Sequence, residues 1–108
     1  MNVTVTKFIP EQAGVYQNGN LRAFDLVPEG EPSELVFHWV QVAPGAVTEP
    51  EENDVAKTFL MFDGGCTIEM DGIQTMVQKG EAVWLPKGSV HVIRNGDTEL
   101  KFIVVKPK

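Results

Sequence analysis

Cysteine occurs only once, at Cys66, so no disulfide can form within the chain, and the opening residues lack the basic and apolar segments of a secretory leader. The address expected from this is cytoplasmic. No apolar run approaches the roughly 18 residues that a membrane span needs. Basic residues are scarce, nine against fifteen acidic ones, and the net charge is −6. Such a surface repels phosphate backbones and anionic lipid, so neither nucleic acid nor membrane is expected as a partner. Also absent is any stretch of eleven or more residues with a 3.6-residue apolar stripe free of glycine and proline, which argues against long helices. With 43% apolar and 22% charged residues the chain is not disordered, and 108 residues suit one domain with its own core but not two.

What is present has a period of two. Val3 and Val5 alternate with Thr4 and Thr6, and residues 21–27 and 35–43 are rich in β-branched, aromatic and aliphatic side chains. Shorter segments follow at 58–62, 66–70, 73–78, 82–85, 91–95 and 100–105, each bounded by Gly, Asp, Asn or Pro, for about nine strands in all. Asp71-Gly72 supplies two residues tolerant of positive φ, as a two-residue hairpin requires. The sequences at 63–65 and 95–97 also form turns, and residues 28–32 read as a polar surface loop. Short strands spaced by about ten residues indicate an all-β sandwich or barrel, whose wrapping hides sheet edges.

Residues 80–95 read G-E-A-V-W-L-P-K-G-S-V-H-V-I-R-N and match G-x5-P-x-G-x2-H-x3-N at all five fixed positions: Gly80, Pro86, Gly88, His91 and Asn95. The Gly-Pro-Gly frame alone arises at about 2 in 10,000 start positions at background composition, so the match is specific. In this the chain resembles the cupin superfamily. The resemblance implies a double-stranded β-helix, or jelly-roll barrel, over residues 35–105, flanked by N-terminal strands and a loop at 1–34. It also aims His91 into the barrel mouth. The family's other signature, G-x5-H-x-H-x3,4-E-x6-G, is matched from Gly45 to Gly64 in spacing only. Glu51 and Asn53 stand where the family has histidines, and Lys57 stands where it has glutamate. The 15 residues from Gly65 to Lys79 separate the signatures, as in compact single-domain microbial cupins.

In the family, three histidines and a glutamate hold a divalent metal. Here Fe, Mn, Ni or Zn would find only His91 and Glu51, with Asn53 as a neutral donor, and Lys57 would repel a cation. No cofactor is therefore expected. If Lys57 points inward, its ammonium takes the electrostatic place of the metal with Glu51 as counter-ion; if the mouth is wide and wet, all three side chains are simply solvated. On the first reading His91 is a base, Lys57 steadies an oxyanion or carboxylate, and Glu51 holds or shuttles a proton. The resemblance then implies a metal-independent isomerase, epimerase or lyase acting on a small polar or carboxylated metabolite. Two alternatives stay open, a non-enzymatic ligand-binding or regulatory barrel and a metal-dependent oxygenase with unusual ligands.

Other residues carry two readings each. Glu49, Glu51, Glu52 and Asp54 form an acidic rim without the alternation of a calcium loop, leaving Lys57 and Arg94 to dock an anion. His38 shares parity with Val36, Val40 and Val42, opposite Phe37, Trp39 and Gln41; it is either a second interior imidazole or a satisfied core histidine. Both faces of that strand are apolar, so a second subunit or the N-terminal segment is expected to cover the outside, and a homodimer follows. Trp84 either lines the ligand pocket or belongs to the core. Cys66 reads as a buried hydrophobe, and Asn95 as a turn maker.

Overall fold

The computed structural model describes residues 3–27, 30 and 32–108. Among these, ten strands form two antiparallel sheets. The larger sheet is ordered β1 (Gly14–Tyr16), β2 (Leu21–Asp25), β3 (Leu35–Val42), β10 (Leu100–Pro107), β5 (Lys57–Asp63) and β8 (Ala82–Leu85). The smaller is ordered β4 (Glu51–Glu52), β9 (Val90–Asn95), β6 (Cys66–Met70) and β7 (Ile73–Val77). Apart from the β6–β7 hairpin, strands from β4 onward alternate between the sheets, as in a jelly roll, so neither sheet is complete before distant segments meet.

Alternation puts one row of each strand into the space between the sheets. Val40, Val42, Phe59, Met61, Phe102 and Val104 of the larger sheet face Cys66, Ile68, Val77 and Ile93 of the smaller one. Burial pushes the Cys66 thiol up to about 11, which makes it inert at neutral pH. The Asp71-Gly72 hairpin forms with both residues at positive φ, 54° and 77°, between the paired Met70 and Ile73. At Gly64, between β5 and β6, φ is +78° and a Cβ would lie 2.7 Å from the Glu99 carbonyl oxygen, so no larger residue fits.

The expected strand at residues 3–6 does not form. Residues 3–9 carry no strand, and Val3 and Val5 are 91% and 84% exposed. Alternation creates an apolar row, but no sheet edge is there to bury it. The segment is held instead by Phe8, whose ring meets Trp39 at 4.8 Å and Phe24 at 5.1 Å between centroids. Phe8 thereby covers part of the outer face of β3, and Trp39 is buried beneath it. Strands β1 and β4, absent from the sequence reading, are only three and two residues long. The loop at 28–32 lies partly outside the described residues.

Candidate functional site

The frame that aims His91 inward is a buried knot of hydrogen bonds. Gly88, at φ +87°, turns the chain back after β8, and its N–H donates to the Asn53 carbonyl at 2.6 Å. Asn53 N–H donates to the Ser89 carbonyl at 2.8 Å, and Asn53 Nδ2 donates to Ser89 Oγ at 2.9 Å. Ser89 Oγ in turn donates to the Pro86 carbonyl at 2.6 Å. This knot ties the turn before β9 to the segment after β4, and so sets where His91 begins its strand. Asn53 is fully buried and does not line the cavity: its Nδ2 is spent on Ser89, and its Oδ1 is buried with no hydrogen-bond partner among the described residues, so it stands as a positioning residue for the turn rather than a ligand contact. Asn95 works similarly at the far end of β9, with Nδ2 donating to the carbonyls of Val42, Ala43 and Thr98 at 2.9–3.2 Å.

A cavity of about 260 Å³ lies between the sheets, and His38, Glu51, Lys57 and His91 all line it. Lys57 leads the inward row of β5, and its side chain is 6% exposed. Its Nζ donates to Glu51 Oε1 at 2.6 Å, the one partner that the ammonium has among the described residues. Two of its three N–H donors are thus left for a ligand. Glu51 reaches this position because β4 is registered directly against His91 on β9.

His91 is 4% exposed, and its Nδ1 is sealed from solvent with no hydrogen-bond partner. The Phe59 ring meets it edge-on at 5.5 Å between centroids. Burial holds the His91 imidazole below its ordinary range, opposed by the Glu51 carboxylate and helped by the Lys57 ammonium. At pH 7 the ring is therefore uncharged. His38 comes from β3 with its Nδ1 against the Asp25 carboxylate of the adjacent strand β2.

The remaining candidates stand elsewhere. Trp84 is 65% exposed on the outer face of β8, because the inward positions of that strand belong to Val83 and Leu85. Both readings offered for it are corrected. Arg94 points outward from β9 and pairs with Glu69 on β6 at 2.9 Å, so it cannot dock an anion in the cavity. Glu49, Glu52 and Asp54 are exposed. Tyr16, Gln17, Thr48 and Lys106 also line the cavity, although the sequence reading passed over them. Nothing in local spacing marks Tyr16 and Gln17; they arrive because β1 joins the larger sheet and Gln17 Oε1 accepts the Glu49 N–H at 2.8 Å.

The donor set does not fit a divalent metal. Among the described residues no three His, Cys, Asp or Glu side chains are grouped to hold one. The Lys57 ammonium occupies the neighbourhood of His91 and takes up an oxygen of Glu51, which leaves His91 with a shared carboxylate, while His38 stands on the other sheet against Asp25.

The sequence profile described as "Cupin domain" matches residues 38–106. No curated protein gives a significant match. Among solved structures, a Cupin 2 conserved barrel domain protein from Salinispora arenicola superposes with TM-score 0.83 at 23% identity, covering 99% of this chain and 91% of that one. The polyketide cyclase RemF from Streptomyces resistomycificus gives TM-score 0.80 at 18% identity, covering 96% and 80%. The DMSP lyase DddQ from Ruegeria pomeroyi gives 0.75 at 18% identity, covering 94% and 55%. At these identities the likeness is one of fold. Among the described residues no helix is long and apolar enough to cross a membrane.

Proposed function

The chain belongs to the cupin domain family, and from that premise we propose that it binds a small carboxylated metabolite in its barrel and moves a proton on it without a metal. One observation carries this reading: a buried ammonium with two unspent donors stands beside a neutral, sealed imidazole in a single cavity. A buried charge is costly unless it has work or full satisfaction, and Glu51 satisfies only one of the three donors of Lys57. A carboxylate or a developing enolate oxygen completes that set. His91 then takes a proton from the carbon next to the carbonyl. The cavity volume of about 260 Å³ suits a molecule of roughly a dozen non-hydrogen atoms or fewer.

The test uses pyruvate, which joins a carboxylate to an exchangeable methyl group. Calorimetric titration reads binding, and proton NMR in deuterium oxide reads exchange of the methyl protons. Binding weakened by Lys57→Met, together with exchange slowed by His91→Gln, supports the proposal. Binding without exchange replaces it with the ligand-binding reading, and neither binding nor exchange overturns it. The homodimer fits the outer face of the larger sheet, where Leu60, Phe62 and Trp84 stand exposed, and sedimentation velocity checks it.

A further inference from the structure

The cavity holds a second imidazole that this reading does not use. His38 rises from β3 of the larger sheet, whereas His91 rises from β9 of the smaller one, so they enter the same cavity from opposing walls. The register places His38 along the larger sheet. His38 is paired with Val104 on β10, and Val104 is paired in turn with Phe59 on β5. Two strand spacings put His38 and Phe59 about 9–10 Å apart along the wall. Phe59 lies edge-on against His91, and Lys57 sits two residues before it on the same face. A small molecule held by Lys57 therefore lies in a cavity to which each sheet contributes one imidazole.

Asp25 gives the second imidazole its orientation. The carboxylate lies against Nδ1, so Nε2 is the ring nitrogen left without a side-chain partner among the described residues. His38 also borders a wider outer groove of about 500 Å³ that runs past Asp25, Asp54 and Lys108, which puts it where solvent protons reach the inner cavity.

We propose that His38, oriented by Asp25, is a second proton-transfer group, and that the site inverts a C–H centre next to the carbonyl of a small 2-oxo acid. This rests on the reading of Lys57 and His91 above. His91 takes the proton from one face of the carbon as the C–H pair becomes a C=C bond and the carbonyl π pair moves onto oxygen. Lys57 Nζ holds that enolate oxygen. The oxygen's pair then re-forms the carbonyl while the carbon takes a proton from His38 Nε2 on the other face. The cycle starts with His91 neutral and His38 protonated, ends with the two exchanged, and is reset by solvent. No oxidant or reductant is consumed. Asp25 is a positioning residue, since it acts only through His38.

The experiment follows (S)-3-methyl-2-oxopentanoate and its enantiomer in deuterium oxide, with NMR reading exchange at C3 and chiral chromatography reading configuration. The wild type is expected to give the inverted product carrying deuterium. His38→Gln should lower inversion at least tenfold while one enantiomer still exchanges with retained configuration, and the mirror outcome is expected for His91→Gln. Asp25→Asn should reduce inversion in part. Thermal melts establish that the variants fold, and the wild-type stereochemistry is informative without them. Exchange with retention in the wild type, or unchanged inversion in His38→Gln, overturns the role of His38 but leaves that of His91 standing. No exchange of either enantiomer overturns both.

Discussion

Replacing Lys57 by Met removes one charge while keeping most of the apolar volume of the stem, and the structure sets what should follow. Lys57 is 5% exposed, but the side chain of its partner Glu51 is 54% exposed. The orphaned carboxylate therefore turns back into water. The stability lost should be about 1 kcal/mol, as for a surface pair, rather than the roughly 3–5 kcal/mol that breaking a sealed pair costs. Ligand binding should suffer more. A charge-assisted hydrogen bond contributes about 1.5–3 kcal/mol, so the affinity for pyruvate should fall about 10–150-fold. His91 loses the ammonium that helps hold it low, but with Glu51 turned into water it also loses the larger carboxylate contribution that raises it, so it should titrate no higher than in the wild type. Urea unfolding, calorimetry and an NMR titration of the His91 ring proton read the three quantities. A stability loss beyond about 3 kcal/mol would make the pair structural. Unchanged affinity would remove Lys57 from the site, and a higher titration midpoint for His91 would refute the release of Glu51 into water.

Acid should destabilise the protein through His91. The folded imidazole titrates below its ordinary value of 6.5, so the unfolded chain binds the proton first as pH falls. Stability is complete above that value and declines below it until the folded form protonates too, and urea unfolding from pH 7.5 to 5 should show a shallower slope in His91→Gln. Asn53→Ala deletes the hydrogen bond to Ser89 Oγ within the knot and should cost about 1–2 kcal/mol in a thermal melt, with weaker ligand binding even though Asn53 does not line the cavity. An unchanged affinity would show that the knot does not position His91. Glu51→His with Lys57→Glu removes the cation and puts a new imidazole and a carboxylate beside His91, with His38 across the cavity, so calorimetry should detect Zn or Ni binding tighter than in the wild type. No gain would count against the placement of these side chains around His91.

Much of the fold was legible along the chain because its causes are local. The two-residue turn at Asp71-Gly72 needs only residues that accept positive φ, and residues 66–70 and 82–85 form strands with the expected bounds. The frame of Gly80, Pro86, Gly88 and His91 marked the family and the inward imidazole for the same reason, since a turn and the strand that leaves it are set within a dozen residues. Burial and pairing across the sheets are not local, and there the sequence left alternatives open. Periodicity put Val3 and Val5 on one row but could not show that no partner strand exists to receive them. Parity placed His38 with Val40 and Val42, and only the closing of β3 against β10 made that side the interior. The spacing from Gly45 to Gly64 counted Asn53 among the site residues, yet the chain turns its amide into Ser89. Trp84 offered the same choice and stands in solvent because Val83 and Leu85 hold the inward positions. Composition, turns and strand rows follow from neighbours in sequence; which row faces the cavity, and which charges meet there, depends on strands brought together from opposite ends of the chain.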